Sequence, residues 1–169
     1  MSLTDYAKSY LPQIDTSEPF VLIGLSFGGM LMTELHKILH PVRFFVISSS
    51  VRSQDIPRWI RMIPNTLITP FMVKTVFKLT PRKVLLYFFG TNNKEEEKLL
   101  LNYFEDLNYE NLANHIRMIS SWNSVTETKE EKHALKIHAT NDVLLPIARE
   151  DSTLILNEGG HFAIMSCAE

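Results

Sequence analysis

Three side chains in this 169-residue chain have the types and settings to act as one chemical unit: Ser26, Asp142 and His161. Ser26 sits in Gly24-Leu-Ser-Phe-Gly28, directly after an apolar run at residues 20–25 and directly before a helical pattern of Met30, Leu31, Leu35, Ile38 and Leu39. A Gly-x-Ser-x-Gly turn between strand and helix is a sharp reversal that exposes the serine hydroxyl, and Gly24 and Gly28 leave out the side chains that would crowd it. The following helix aims its first amides at the same spot. The Phe27 N–H can therefore donate to a developing oxyanion while the helix dipole favours negative charge there. A serine hydroxyl is a poor nucleophile until a base removes its proton. His161, after Gly159 and Gly160, is the candidate base, and Asp142, in Thr140-Asn141-Asp142, is the candidate acid that fixes the imidazole tautomer and stabilises the imidazolium. Taken singly, His161 reads as a hydrogen-bonded loop histidine and Asp142 as an N-cap ahead of residues 144–148. Together with Ser26 they read as nucleophile, base and acid for attack on a carbonyl.

Such a unit needs a scaffold, and the pattern of the chain supplies an α/β one. Leu3, Tyr6, Ala7, Tyr10 and Leu11 fall at helical spacing after Ser2 or Thr4, and residues 12–19 lead into the first strand, expected to be buried. After the serine helix, which should stop before Pro41, residues 42–48 form a second apolar strand. The strand-helix-strand unit predicts a right-handed crossover and a parallel pair, closed by Ser48, Ser49 and Ser50. From residue 51 to 131 the character changes to helical segments broken at Pro57, Pro64, Pro70 and Pro81. One helix, capped by Thr91 or Asn92, carries Glu95, Glu96 and Glu97 in its first turn, and another runs from Asn108 or Tyr109 to Trp122. Strand patterns return at residues 134–139 and 153–156, so the acid and histidine loops fall at the carboxyl ends of successive parallel strands, on the sheet edge that holds Ser26. The reading is a parallel sheet flanked by helices, built from residues 1–50 and 132–169, with a helical cap insertion at 51–131.

Composition narrows the class. The chain is 45% hydrophobic and 21% charged with a formal net charge of -2, an ordinary globular composition that gives no reason to expect a nucleic-acid partner. Its single cysteine, Cys167, fits a reducing compartment. The first twelve residues lack a basic stretch followed by an apolar core, and no run approaches a membrane span, so the sequence predicts a cytoplasmic protein.

The segments Gly24-Leu-Ser-Phe-Gly28-Gly29, Ala139-Thr-Asn-Asp142 and Gly159-Gly-His161-Phe162 resemble the three catalytic loops of the α/β-hydrolase superfamily, in the same chain order. The resemblance runs from about residue 3 to the end, with the helical insertion similar to the cap of such enzymes. It implies Ser26 as nucleophile, Asp142 as triad acid, His161 as general base and the Phe27 amide as one oxyanion donor. It implies hydrolysis of a carboxylic ester or related acyl bond through an acyl-enzyme, with no cofactor. The chain departs from the pattern where about nineteen residues precede the serine strand instead of several strands, so the loop that usually supplies a second oxyanion donor has no counterpart before Phe20. Ala139 also stands where glycine is common. The expectation is a piece of a longer hydrolase, or a chain that needs a second one to complete its sheet. Alone it should self-associate through the exposed edge at residues 20–25 and show weak activity. The competing reading is a non-catalytic module that binds a ligand or partner through the insertion.

Other constellations carry less. His36 and His40 are one helical turn apart but have no neighbouring Glu base and no third ligand, so no metal is expected. Asp55 and Asp151 are alternative acids, neither directly after a strand, and His138 lies inside one. Residues 56–94 hold seven Lys and Arg and no acid, along with Trp59, Ile63, Phe71, Met72, Phe77, Leu85, Leu86, Phe88 and Phe89. A basic, apolar cap suits an apolar acyl substrate or a membrane surface. The reading preferred from sequence is that these residues form the cap's own core.

Overall fold

The computed structural model describes residues 1–124, 134–146 and 154–166. Cys167, Asp151, Thr153, residues 147–148 of the expected helix and the end of the insertion at residue 131 lie outside the described residues. Among the described residues four strands, β1 (Val21–Leu25), β2 (Arg43–Ile47), β3 (Ala134–Ala139) and β4 (Leu154–Leu156), form a wholly parallel sheet in the order β1-β2-β3-β4. Helix α1 (Leu3–Lys8) precedes β1, with Ser2 Oγ accepting from the Asp5 amide as N-cap; α2 (Phe27–His36) joins β1 to β2. Between β2 and β3 lie α3 (Arg58–Arg61), α4 (Pro70–Leu79), α5 (Arg82–Phe89), α6 (Lys94–Glu105) and α7 (Tyr109–Ser121), and α8 (Ala163–Ser166) follows β4.

The cap of α6 falls at Asn93, not at Thr91 or Asn92. Its Oδ1 accepts from the Glu95 and Glu96 amides, and the Glu96 carboxylate reaches back to the Asn92 N–H at 2.7 Å, so donors on both sides of the cap are satisfied reciprocally. Helix α2 ends at His36, which leaves His40 beyond the helix, and the His36 ring stacks on Phe44.

The sheet is less enclosed than an apolar strand suggests. Leu22, Phe44 and Val46 pack with Leu3, Ala7, Met30, Leu31 and Leu35 into the main core. Alternation turns Val21, Ile23 and Leu25 to the opposite face, where Ile23 is 62% exposed, so β1 is buried on one face only.

Glu34 ties three helices together, which no sequence pattern announced. It is buried, and its carboxylate accepts from Thr4 Oγ1 at 2.7 Å, Lys37 Nζ at 2.6 Å and Trp122 Nε1 at 2.9 Å. Burial alone would raise its pKa; these donors outweigh it and hold the carboxyl below its ordinary range. The bond to Trp122 fixes the end of α7 over α1 and α2.

Candidate active site

Ser26 stands at the carboxyl end of β1 with φ 50° and ψ -122°, one of only two non-glycine residues of positive φ among the described residues. That strained turn is held by the Ser26 amide donating to Ile47 O at 3.0 Å, and by Ser49 Oγ donating to Ser26 O. Phe27 opens α2, so its amide has no acceptor from a preceding helical turn. The Phe27 ring stacks on His115 of α7, centroids 4.2 Å apart, and packs on Tyr6 of α1. Burial lowers the His115 pKa from its ordinary value, which favours the neutral ring in this stack.

The two glycines of the motif are not equivalent. A Cβ on Gly24 would lie 2.5 Å from Gly28 O and from Gly29 Cα, both backbone atoms, and one on Gly29 would meet Ser49. A Cβ on Gly28 would meet nothing within 4 Å. The close approach expected of Gly24 and Gly28 therefore belongs to Gly24 and Gly29, because it is the backbone of Gly29 that crosses the end of β1. Gly24→Ala should destabilise the fold by about 1–3 kcal/mol. Gly28→Ala, inside a helix, should be neutral or stabilising by up to about 1 kcal/mol. Thermal unfolding of the two variants checks the contrast.

The structure brings Ser26, His161 and Asp142 together. His161 Nδ1 lies 2.8 Å from Asp142 Oδ2, and its Nε2 lies 2.8 Å from Ser26 Oγ. A carboxylate only accepts, so Nδ1 carries the proton and Nε2 is left to accept from the serine hydroxyl. Asp142 Oδ1 accepts from the Leu144 and Leu145 amides at 3.0 and 2.8 Å, which locks the turn after β3 and leaves Oδ2 for the imidazole. Burial opposes the charge on Asp142, yet the N–H groups of His138, His161 and Leu145 overcome it and lower its pKa from 3.8 to about 2. Because this value is depressed, ionised Asp142 favours the folded state above pH 3.8, and that contribution is lost as pH falls towards about 2. Asp55, the alternative acid within the described residues, is taken up by a two-point pair with Arg52.

Some residues of the site were not legible as such. His138 is buried in β3; its Nε2 donates to Leu145 O at 2.7 Å and lies 3.4 Å from Asp142 Oδ2, which fastens the acid turn from below. Ser48, opposite the elbow at the end of β2, has φ 42° and a buried Oγ without a hydrogen-bond partner among the described residues. The third is the α5 terminus. Gly90 turns the chain there with φ 66°, and its Cα packs against Gly160 so closely that a Cβ would strike the Gly160 backbone. Beside it, the Phe162 amide donates to Phe89 O at 2.8 Å, and the Phe89 ring meets the His161 ring edge to face at 5.8 Å. The histidine loop, with Gly159 at φ 83°, is thus held by the helical insertion as well as by the sheet.

This architecture is the α/β-hydrolase fold. The chain superposes on a lipase-esterase related protein from Clostridium acetobutylicum ATCC 824 with a TM-score of 0.67 at 18% identity, over 99% of this chain and 71% of that one. It superposes on an α/β-hydrolase enzyme from a Medee basin deep-sea metagenome library at 0.64 and 14%, over 98% and 66%. A thermophilic esterase gives 0.65 and 14%, over 99% and 69%. No protein-family model and no curated protein sequence matches the chain.

Proposed function

We propose that the chain carries the site of a serine hydrolase that cleaves a carboxylic ester or related acyl bond. The observation that carries this reading is the continuous path from Ser26 Oγ through the His161 ring to Asp142 Oδ2, in two steps of 2.8 Å, starting from a serine held in a strained elbow. Ser26 attacks the carbonyl carbon as His161 Nε2 takes its proton; the oxyanion faces the Phe27 amide; the imidazolium returns the proton to the leaving alcohol. Water, deprotonated by the same imidazole, then releases the acid and restores the serine. Asp142 stays ionised and holds the ring. That two of the three structural neighbours bear the word esterase in their names supports an ester over an amide. The segment at residues 51–131 serves as the cap over this site and faces an apolar acyl chain. The lone Cys167 supports a cytoplasmic setting. Among the described residues no helix is long and apolar enough to cross a membrane.

Turnover of p-nitrophenyl esters of graded chain length tests the proposal, with hydrolysis expected to rise from acetate to a medium acyl chain. A chain that is folded and turns over none of them contradicts it. The pH profile gives a second check. Asp142 is already ionised above about pH 4, so kcat/KM should rise with pH along a single limb, the loss of one proton from the general base. A flat profile between about pH 5 and about pH 8 would exclude a histidine base.

A further inference from the structure

Helix α4 is apolar on two faces and covered on only one. Val73 and Phe77 turn inwards and pack with Ile63, Ile68, Tyr109, Leu112, Ala113 and Ile116 in a second cluster against α7. Met72, Val76 and Leu79 follow at i, i+4 and i+7, a separate stripe of the same helix, and Phe71 stands in its first turn about 100° round from Met72. These four side chains are 44%, 56%, 76% and 74% exposed, respectively. Lys74, Thr75 and Lys78 take up the rest of the circumference, so the Met72, Val76 and Leu79 stripe is an apolar outer face that no other element covers among the described residues. Trp59 and Met62 on and just after α3, and Leu67 ahead of α4, are exposed as well. The sequence reading that placed Trp59, Phe71 and Met72 in the cap's own core is therefore overturned, while its placing of Ile63 and Phe77 there stands.

Charge says what covers this face. Lys74 and Lys78 lie on α4 itself, Arg58 and Arg61 on α3, and Arg82 and Lys83 open α5; residues 56–94 contain no Asp or Glu, although the whole chain has net charge -2. Cations set among large exposed apolar side chains match a layer of anionic headgroups above a hydrocarbon boundary. We propose that α4 and its flanks dock on an anionic lipid surface, with Phe71, Met72, Val76 and Leu79 entering the boundary and the lysines and arginines at headgroup level. The inference does not rest on the hydrolytic reading of Ser26.

Co-sedimentation of the 169-residue chain with vesicles tests it. Vesicles of phosphatidylcholine and phosphatidylglycerol in a two-to-one ratio should bind the chain about tenfold better than phosphatidylcholine alone, and added salt should weaken that binding. Phe71→Ser with Leu79→Ser should lower the partition about tenfold on both vesicle types, and Lys74→Glu with Lys78→Glu should remove the preference for the anionic ones. All four positions are exposed, Lys74 with its Nζ 6.0 Å from the centroid of the Tyr109 ring, and circular dichroism should report an unchanged fold, while Ser26→Ala should bind as well as the parent. No binding to anionic vesicles, or binding that ignores both double variants, overturns the proposal. So does a concentration-dependent solution mass abolished by Phe71→Ser with Leu79→Ser in the absence of vesicle binding, which would assign the face to a second copy of the chain.

Discussion

Ser26→Ala is expected to lower ester turnover by about 10⁴ to 10⁶-fold with the fold intact, and His161→Ala should cost about as much. The reason is geometric. Ser26 Oγ and His161 Nε2 share one hydrogen bond of 2.8 Å, so removing either leaves the other without a function, and the double variant should be no worse than the single ones. Asp142→Asn should cost less, because the Leu144 and Leu145 amides still shape the turn, while the imidazole loses the acceptor that selects its tautomer. Kinetics on the four variants check this, and additive losses in the double variant would mean that the two residues do not act as a unit.

Gly90→Ala should have the next largest effect, although Gly90 lies in the helical insertion. Its φ of 66° costs any other residue about 1 kcal/mol or more, and its Cβ would press on the backbone of Gly160. Relief can come only by moving the α5 terminus or the histidine loop, and either breaks the Phe162 to Phe89 bond that positions His161. A displacement of about 1 Å at the base lowers kcat by about 10²-fold. The expected pattern is a kcat that falls while KM changes little, with most of the secondary structure kept. Unchanged kcat in Gly90→Ala would show that the insertion does not position the base.

What was legible in the sequence and what was not divide along one physical line. The elbow, the acid turn and the histidine loop each carry a local signal, a glycine spacing or a polar loop after an apolar strand, and the structure places Ser26, Asp142 and His161 within hydrogen-bond reach. The parallel sheet was legible for the same reason. Contacts between segments distant in sequence left no such trace. Gly90 meets Gly160 across seventy residues, and Trp122 meets Glu34 across eighty-eight, so neither partner is marked by its own neighbourhood. His138 reads as an ordinary strand residue until the turn it fastens is built. The exposure of α4 was misread because a helix with two apolar stripes looks, in sequence, like one that is buried. Gly28 was overvalued for a related reason: the motif counts glycines, whereas the packing selects Gly24, against the backbone of Gly28 and Gly29, and Gly29, against the Ser49 side chain.

The central claim, that Ser26 is a nucleophile activated by His161 and Asp142, is tested most directly by treating the folded chain with a fluorophosphonate and locating the adduct by peptide mass spectrometry. The account predicts a single phosphonylated residue, Ser26, formed at a rate that falls as the pH is lowered and absent from His161→Ala. A folded chain that takes up no label, or that carries it on another residue while Ser26 stays free, would contradict it.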